Sequence, residues 1–308
     1  MKLIELVIPK APNAKPSKEE VIKGSTIKTF DEPNANLPPG HRDKTISEIR
    51  KHLDTHCAKA VKSYQTNQTF IYRGIPTDEI SFVVDTDLVY RRSAYSDNIY
   101  TKLIDISPAW KHHAYRSRSI SCSTDFNKVL GYGESKHGQT YIIFPYDDAK
   151  ISYGMNSDFW YDFEGLGISN LSEFNNLIES SAAFFKFSDK TLLAAAALED
   201  NQPFIAAIKK IEKLVIGSSV NLEVFIHHLN KYVTSHSEEF GTGFYEAAIN
   251  KNLLDWLMSY LDPTKNEIKT IDASKIHIIR GRVEIWVQGK VLLFSATDND
   301  KVTELLDL

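Results

Sequence analysis

The clearest periodic pattern in the chain lies between residues 45 and 65, where apolar residues recur at spacings of three and four positions. This spacing puts them on one face of an amphipathic helix. Thr45 followed by Glu48 has the form of a capping box, which is typical of a helix start. The pattern predicts one helix over 45–65 with an apolar stripe facing a core, formed by Ile46, Ile49, Leu53, Cys57 and Val61.

From residue 68 to residue 163 the pattern changes to short apolar or alternating runs separated by polar, Gly- or Pro-containing pieces. Such runs predict strands at 69–73, 119–123, 140–144 and 151–153. After Asp262-Pro263 the pattern returns, with strands predicted at 275–280, 283–287 and 291–294. Gln288-Gly289 is a plausible tight turn between the last two.

Between these two groups of strands, residues 171–261 have good helix composition with few breakers. Helices are predicted at 192–198, 204–215, 222–233 and 247–261. The order is a helix, strands, a helical block and closing strands, so the fold class is α+β. We expect an N-terminal strand and linker over 1–40, a core over 41–168, the helical block over 169–262 and the rest of the core over 263–308.

Composition narrows the class of protein. The 308 residues carry a formal net charge of −4, which argues against a surface that binds nucleic acid everywhere. Lysine and arginine nevertheless outnumber aspartate and glutamate over residues 41–120. Two cysteines, Cys57 and Cys122, suit a reducing compartment. With no apolar run of membrane-spanning length and no signal-peptide pattern at the start, a cytoplasmic protein without membrane attachment is expected.

Three short segments carry residues suited to chemistry. Arg73 follows an apolar strand and precedes Gly74, so its planar guanidinium can grip a phosphate bidentately while the glycine permits close backbone approach. In the strand at 119–123, period two puts three serines on one face. In the late strand the same period puts Glu284 on one face with an arginine and a tryptophan. The alternative interpretations are that the serines and the glutamate lie on solvent-exposed strand faces, and that Arg73 forms a surface salt bridge.

In this order, the early arginine, the serine-rich strand and the late glutamate resemble the R-S-E branch of the ADP-ribosyltransferases. Further pieces resemble phage and toxin-like members of that family: Pro108-Ala109-Trp110, Tyr115 to Ser119, Gly131-Tyr132-Gly133, Ile143-Phe144-Pro145 and Asp158 to Phe163. The resemblance covers about 69–163 and 275–294. It implies a split β-sheet core with a helical insertion, NAD as substrate, and transfer of ADP-ribose to a macromolecular acceptor.

The resemblance also implies residue roles. Cleavage of the nicotinamide–ribose bond builds oxocarbenium-like charge on the ribose, which a carboxylate at Glu284 would offset. Arg73 would hold a phosphate or ribose of NAD, and Ser121 or Ser123 would orient the ribose and the glutamate. Further candidates are aromatic residues to stack on nicotinamide, with core packing as the alternative, and a pair of arginines to assist with phosphates, with a solvated surface pair as the alternative. They are Tyr153, Trp160, Tyr161, Arg91 and Arg92.

The chain departs from the family at Arg282, where many members carry Glu or Gln two positions before the catalytic glutamate. Arg282 is expected to contact the acceptor, and because it cannot polarise an acceptor arginine, both protein and nucleic acid stay open as acceptors. A neutralising partner protein and a targeting or neutralising role of the helical block are also open. The alternative function is a catalytically inactive scaffold of the same shape that binds a partner.

Three other kinds of site are disfavoured by the sequence. A thiol nucleophile at Cys122 with His112 or His113 would need the thiol on the serine face, and period two points it away. The histidine pairs lack the spacing of helical metal ligands, and no metal site is expected. Gly241-Thr242-Gly243 lacks the strand and helix context of a phosphate loop.

Overall fold

A computed structural model describes residues 46–75, 79–91, 98–134, 138–156, 158–161, 163, 171–232, 237–297 and 299–307. The expected N-terminal strand and linker, the capping threonine at 45 and Arg92 lie outside these residues. The described residues fall into two compact units. One comprises those within Met1–Ala94, His112–Asp158 and Lys269–Leu308, and the other those within Tyr95–Lys111 and Phe159–Ile268.

The first unit contains an eight-stranded sheet in which every pair is antiparallel, so the described chain is a mixed α+β protein. Its order is β2-β8-β4-β1-β3-β7-β5-β6. The strands are β1 (Tyr72–Ile75), β2 (Ser81–Asp85), β3 (Ser119–Ser123), β4 (Gln139–Pro145), β5 (Lys150–Tyr153), β6 (Lys269–Ile271), β7 (Glu284–Gln288) and β8 (Lys290–Ser295).

The helices are α1 (Ile46–His56), α2 (Ala58–Asn67), α3 (Ile99–Ile106), α4 (Phe126–Glu134), α5 (Leu171–Phe184), α6 (Asp189–Ala196), α7 (Gln202–Ile216), α8 (Leu222–Leu229), α9 (Ser237–Ile249), α10 (Leu253–Ser259) and α11 (Asn299–Leu306). Of these, α1, α2, α4 and α11 belong to the first unit. No helix of the described chain has the length and apolar composition needed to cross a membrane.

The core of the first unit lies between the sheet and the apolar stripe of α1 and α2, as the sequence predicted for this stripe. Ile49, Leu53 and Cys57 are buried in one cluster with Ile285 and Val287 of β7. The single predicted helix is wrong in one respect, because it is broken at Cys57. There a carboxylate oxygen of Asp147, in the turn after β4, accepts a hydrogen bond from the backbone amide of Lys59 and so caps the start of α2.

In the first unit one predicted strand is wrong, one predicted turn differs, and three elements were not predicted. The strand predicted at 275–280 is instead a 3₁₀ helix over Ala273–Ile278, whose start is capped by the Asp272 carboxylate, which accepts from the Ser274 amide. Ala273, Ile276 and Ile279 are buried at the three-residue spacing of such a helix. The strands β2 and β6 and the helix α11 were not predicted. Gly289, at a φ of 109°, forms a bend between β7 and β8, but these two strands do not pair, so the tight turn expected at Gln288-Gly289 is not a hairpin turn.

The second unit is helical, as predicted for its central block, and has an aromatic core. Phe240 packs edge-on against Trp256, which in turn packs against Tyr260 at a ring separation of 4.9 Å. Gly241 and Gly243 lie inside α9, so they form no phosphate loop. The helix predicted over 247–261 is wrong because α9 ends at Ile249 and α10 begins at Leu253, and α3 was not predicted at all.

Trp110 and Lys102 hold the early segment of the second unit to its helices. The buried indole of Trp110 donates to the carbonyl of Leu261 at 2.7 Å. The ammonium of Lys102, whose residue has no exposed surface, donates to the carbonyls of Leu198 and Glu199 and to the side chain of Asn201. Residues 98–111 therefore belong with the helical block, although the sequence boundaries placed them in the core.

Candidate active site

The candidate residues Arg73, Ser121 and Glu284 lie on β1, β3 and β7, which are three neighbouring strands of the sheet. The pairing of β3 with β7 sets Ser121 opposite Trp286 and Ser123 opposite Glu284. Residues directly opposite each other in an antiparallel pair point to the same face. The serines of β3 and the glutamate and indole of β7 therefore share one face of the sheet.

Glu284 is held by two side chains that donate to the same carboxylate oxygen. The hydroxyl of Ser121 donates to Oε1, and the indole Nε1 of Trp286 donates to it at 3.1 Å. Glu284 is 4% exposed, Ser121 and Trp286 1% each. Two donors on one buried carboxylate oxygen fix its position and orientation, which is the preorganisation that electrostatic catalysis needs.

Beside this group, the sheet opens between β1 and β3. Only one residue of β1, Tyr72, pairs with a residue of β3, Ser123. In an antiparallel ladder, alternate residues direct their backbone groups to opposite edges. Because the amide of Thr124 donates to the carbonyl of Val283, the residue before β7, the carbonyls of Ser119 and Ser121 face the opposite edge, towards β1.

Two arginines occupy the edge of β3 that β1 leaves open. Arg73 Nη1 donates to the carbonyl of Ser121 at 2.6 Å, and Arg91 Nη1 donates to that of Ser119 at 2.7 Å. The backbone amide of Arg91 also bonds to the carbonyl of Ser117. The side chains thus replace missing strand partners, and they bring two permanent positive charges to the strand that carries Ser121. Arg91 is buried, whereas Arg73 is half-buried.

The structure separates the two serines that the sequence left as alternatives. The hydroxyl of Ser123 donates to the carbonyl of Val283 and accepts from the amide of Asp125 at 3.0 Å. Asp125 in turn accepts from the amide of Asn127 and so caps α4. Ser123 therefore shapes the turn after β3, and Ser121 is the serine that contacts the glutamate.

One of the aromatic candidates, Tyr153, does not join this group. Tyr153 lies opposite Ile285, on the sheet face away from Glu284, and is buried in the apolar core. Its assignment to nicotinamide stacking is therefore corrected. Trp160 and Tyr161 lie in a 3₁₀ helix of the second unit; Tyr161 is exposed, and the side chain of Trp160 is outside what the structure describes.

Two further candidates lie close to the group along the chain. Gly74 follows Arg73 in β1 and is half-buried. Arg282, expected at the acceptor, has a side chain that is 74% exposed and forms an ion pair with Asp125 at 3.6 Å.

Trp286 and Arg91 are the residues that the sequence argument underrated. The signal for Trp286 was present, since a tryptophan two positions after a glutamate in a strand shares its face. No local signal pointed to Arg91, because its acceptor is the carbonyl of Ser119, which lies 28 positions away.

The thiol of Cys122 is not suited to nucleophilic chemistry. Its pKa is raised to about 12, chiefly by burial; the charges of Arg73 and Arg91 oppose this rise, and the carboxylate of Glu284 adds to it. At neutral pH the thiol is protonated, and only the thiolate is the nucleophile.

Within the described ranges, no group of three or more His, Cys, Asp or Glu side chains is arranged to hold a metal ion. No protein-family model, curated protein or solved structure matches the chain. Its chemistry must therefore be inferred from the residues of this site.

Proposed function

We propose that the protein is an NAD-dependent mono-ADP-ribosyltransferase that transfers ADP-ribose to a macromolecular acceptor and releases nicotinamide. The observation that carries the proposal is the carboxylate of Glu284, held on one oxygen by Ser121 and Trp286 beside a strand edge occupied by Arg73. A buried, oriented carboxylate next to a fixed guanidinium suits a reaction in which a sugar becomes cationic while phosphates stay bound.

In the proposed reaction the bond between ribose C1′ and the nicotinamide nitrogen breaks. The bonding electrons leave with nicotinamide, which becomes neutral, and positive charge develops on the ribose as in glycoside hydrolysis. Glu284 stabilises that charge and accepts a hydrogen bond from the ribose 2′-hydroxyl. The acceptor nucleophile then bonds to C1′ and loses its proton to solvent or to a nearby base.

Arg73 has the role of positioning NAD. A guanidinium offers several donors in a rigid fork, so one nitrogen can bond to the carbonyl of Ser121 while others face a phosphate or ribose hydroxyl. The hydrogen bond to Ser121 supports this role because it links the residue that binds NAD to the residue that orients Glu284. Gly74 next to it leaves room for the dinucleotide backbone.

The fold proposed with this activity is the split-sheet core of the ADP-ribosyltransferases, with the helical block as an insertion. Two features support it: the incomplete pairing of β1 with β3, and the order of arginine, serine and glutamate on three adjacent strands. Residues far apart in sequence then meet at the place where the sheet opens.

The proposal is tested by measuring nicotinamide release from NAD by the wild type and by Glu284→Gln. Glutamine keeps the shape and can still accept from Ser121 and Trp286, so the fold should persist, while the negative charge is lost. Release should fall by about 10²- to 10³-fold, the effect typical of a lost electrostatic contact at a transition state. Equal release by both proteins, or none by folded wild type at saturating NAD, would refute the activity.

A further inference from the structure

An open cavity of about 310 Å³ lies in the first unit beside the candidate active site. It is formed by the segment that follows α2, the start of β1, the residue after β3 and the loop that leads into β7. Its lining includes Phe70, Tyr72, Thr124, Arg280 and Gly281. The volume is at the small end of the range for ligand sites, roughly 300–1,000 Å³.

The cavity lies at β1, two strands away from the strand that carries Glu284. Tyr72 is paired with Ser123, and Ser123 is paired with Glu284, so the three residues form one row across the sheet. Neighbouring strands lie about 4.8 Å apart, which puts the Cα atoms of Tyr72 and Glu284 about 10 Å apart. A group bound against Tyr72 therefore lies within one nucleotide of a ribose held at Glu284.

Aromatic rings line this cavity and continue past it. Phe70 packs edge-on against Tyr72 at 6.1 Å, and Tyr72 packs edge-on against Phe126 at 5.2 Å. Tyr72 and Phe70 are half-buried and Phe126 is 37% exposed, so the row is accessible. Partly exposed rings in a row offer flat faces on which successive unpaired bases can stack.

Positive charge accompanies the aromatic row. Arg280 is exposed, and its guanidinium donates to the neutral carbonyl of His277 at 2.9 Å, which leaves its charge uncompensated by that bond. Arg282 follows two positions later, partly balanced by Asp125. The loop that carries both is fixed, since the Thr124 hydroxyl donates to the carbonyl of Gly281 at 2.8 Å and accepts from the amide of Val283.

We infer that this cavity binds a base and an adjoining phosphate of a single-stranded nucleic acid, and that nucleic acid is the acceptor of the proposed transfer. The inference rests on the proposed function for the transfer step but not for the binding. Aromatic faces with arginines at the rim match the recognition of unpaired bases, which stack on rings while guanidinium groups hold the backbone. An acidic surface of a partner protein would pair with the arginines, but it would not need the row of aromatic rings.

The test is binding of fluorescent single-stranded RNA and DNA 12-mers, measured by anisotropy at several salt concentrations in the absence of NAD. Arg280→Gln should weaken binding about tenfold and lower the slope of log Kd against log salt by about one, because one phosphate contact is lost. Tyr72→Leu should weaken binding by about tenfold with an unchanged slope, because it removes stacking rather than charge. Lys51→Gln, on the exposed face of α1, makes the same charge change away from the cavity and should match the wild type.

The binding result separates this inference from the proposed function, because no turnover is needed. Binding that depends on Arg280, in a protein that releases no nicotinamide, would uphold the cavity and refute the enzyme. Nicotinamide release by a protein that does not bind the oligonucleotides would uphold the enzyme and refute the cavity as a nucleic-acid site. Displacement of the oligonucleotide by NAD, or by a glutamate-rich peptide of equal charge, would overturn the inference, as would equal affinities of the Arg280→Gln variant and the wild type.

Discussion

Ser121 and Glu284 are 163 positions apart in the sequence, yet the serine hydroxyl donates directly to the carboxylate across β3 and β7. The contact is diagonal, since Ser121 is opposite Trp286 and Glu284 is opposite Ser123. The carbonyl of the same serine accepts a hydrogen bond from Arg73. Ser121 therefore joins the proposed NAD-binding arginine to the proposed catalytic glutamate through two different atoms.

This arrangement predicts different results for the two serines. Ser121→Ala removes a donor to Glu284, and kcat for nicotinamide release should fall by about a hundredfold, as for loss of one preorganised hydrogen bond. Ser123→Ala should leave kcat nearly unchanged but lower the free energy of unfolding by about 1 kcal/mol, because its bonds serve the turn after β3. Steady-state kinetics and urea unfolding of both variants check this; a larger loss of kcat for Ser123→Ala would reverse the assignment.

Arg73→Lys is predicted to weaken NAD binding although it keeps the positive charge. The bond to the Ser121 carbonyl and a phosphate contact need the fork of a guanidinium, which a lysine ammonium does not offer. The KM for NAD should rise about tenfold, the effect of losing about 1.4 kcal/mol of binding. Initial rates over a range of NAD concentrations measure it. An unchanged KM would remove Arg73 from the NAD site.

The aromatic core of the second unit predicts opposite tolerance at two glycines of α9. A Cβ added at Gly243 would lie 2.7 Å from Cζ2 of Trp256, whereas the nearest atoms to one at Gly241 would be side-chain atoms of Ile226 and Leu229, at 3.1 and 3.2 Å. Gly243→Ala should therefore cost about 1–3 kcal/mol from overpacking. Gly241→Ala should be close to neutral, because helix propensity offsets its small strain by up to about 1 kcal/mol. Thermal unfolding of the two variants makes the comparison, and equal losses would contradict it.

The pKa of Cys122 predicts how its burial contributes to stability at alkaline pH. It rises from 9.0 to about 12 in the folded protein, mainly through burial. The folded state therefore disfavours the thiolate, so the stabilisation is complete below pH 9.0 and is lost as the pH rises towards 12. Between these values, Cys122→Ala should lose stability less steeply than the wild type. Urea midpoints across this range test the sign, and identical slopes would contradict it.

The helical period and the strand alternation were enough to predict the α+β class, β3 and the helical block. They could not distinguish Ser121 from Ser123, because period two puts both on one face. That choice depends on the register of β3 against β7, which is fixed by residues about 160 positions away. Similarly, β-branched residues around Ile276 suggested a strand where the capping carboxylate of Asp272 starts a 3₁₀ helix.

The position of Arg91 could not be predicted for a related reason. The Arg91 side chain bonds to β3 where β1 does not pair with it. This gap between β1 and β3 is a property of the whole sheet. Tyr153 was misassigned because a tyrosine at a strand end is equally suited to a cleft or a core. Only its pairing with Ile285 shows that it lies on the core side.

The central claim is tested most directly with two samples of NAD, one labelled in the adenosine part and one in nicotinamide. Each is incubated with cell lysate and the protein, or with Glu284→Gln, and the macromolecules are separated into protein and nucleic-acid fractions. We predict that adenosine label enters the nucleic-acid fraction, that nicotinamide label stays small and soluble, and that Glu284→Gln abolishes the transfer. Adenosine label in neither fraction, or transfer undiminished in the variant, would contradict the account.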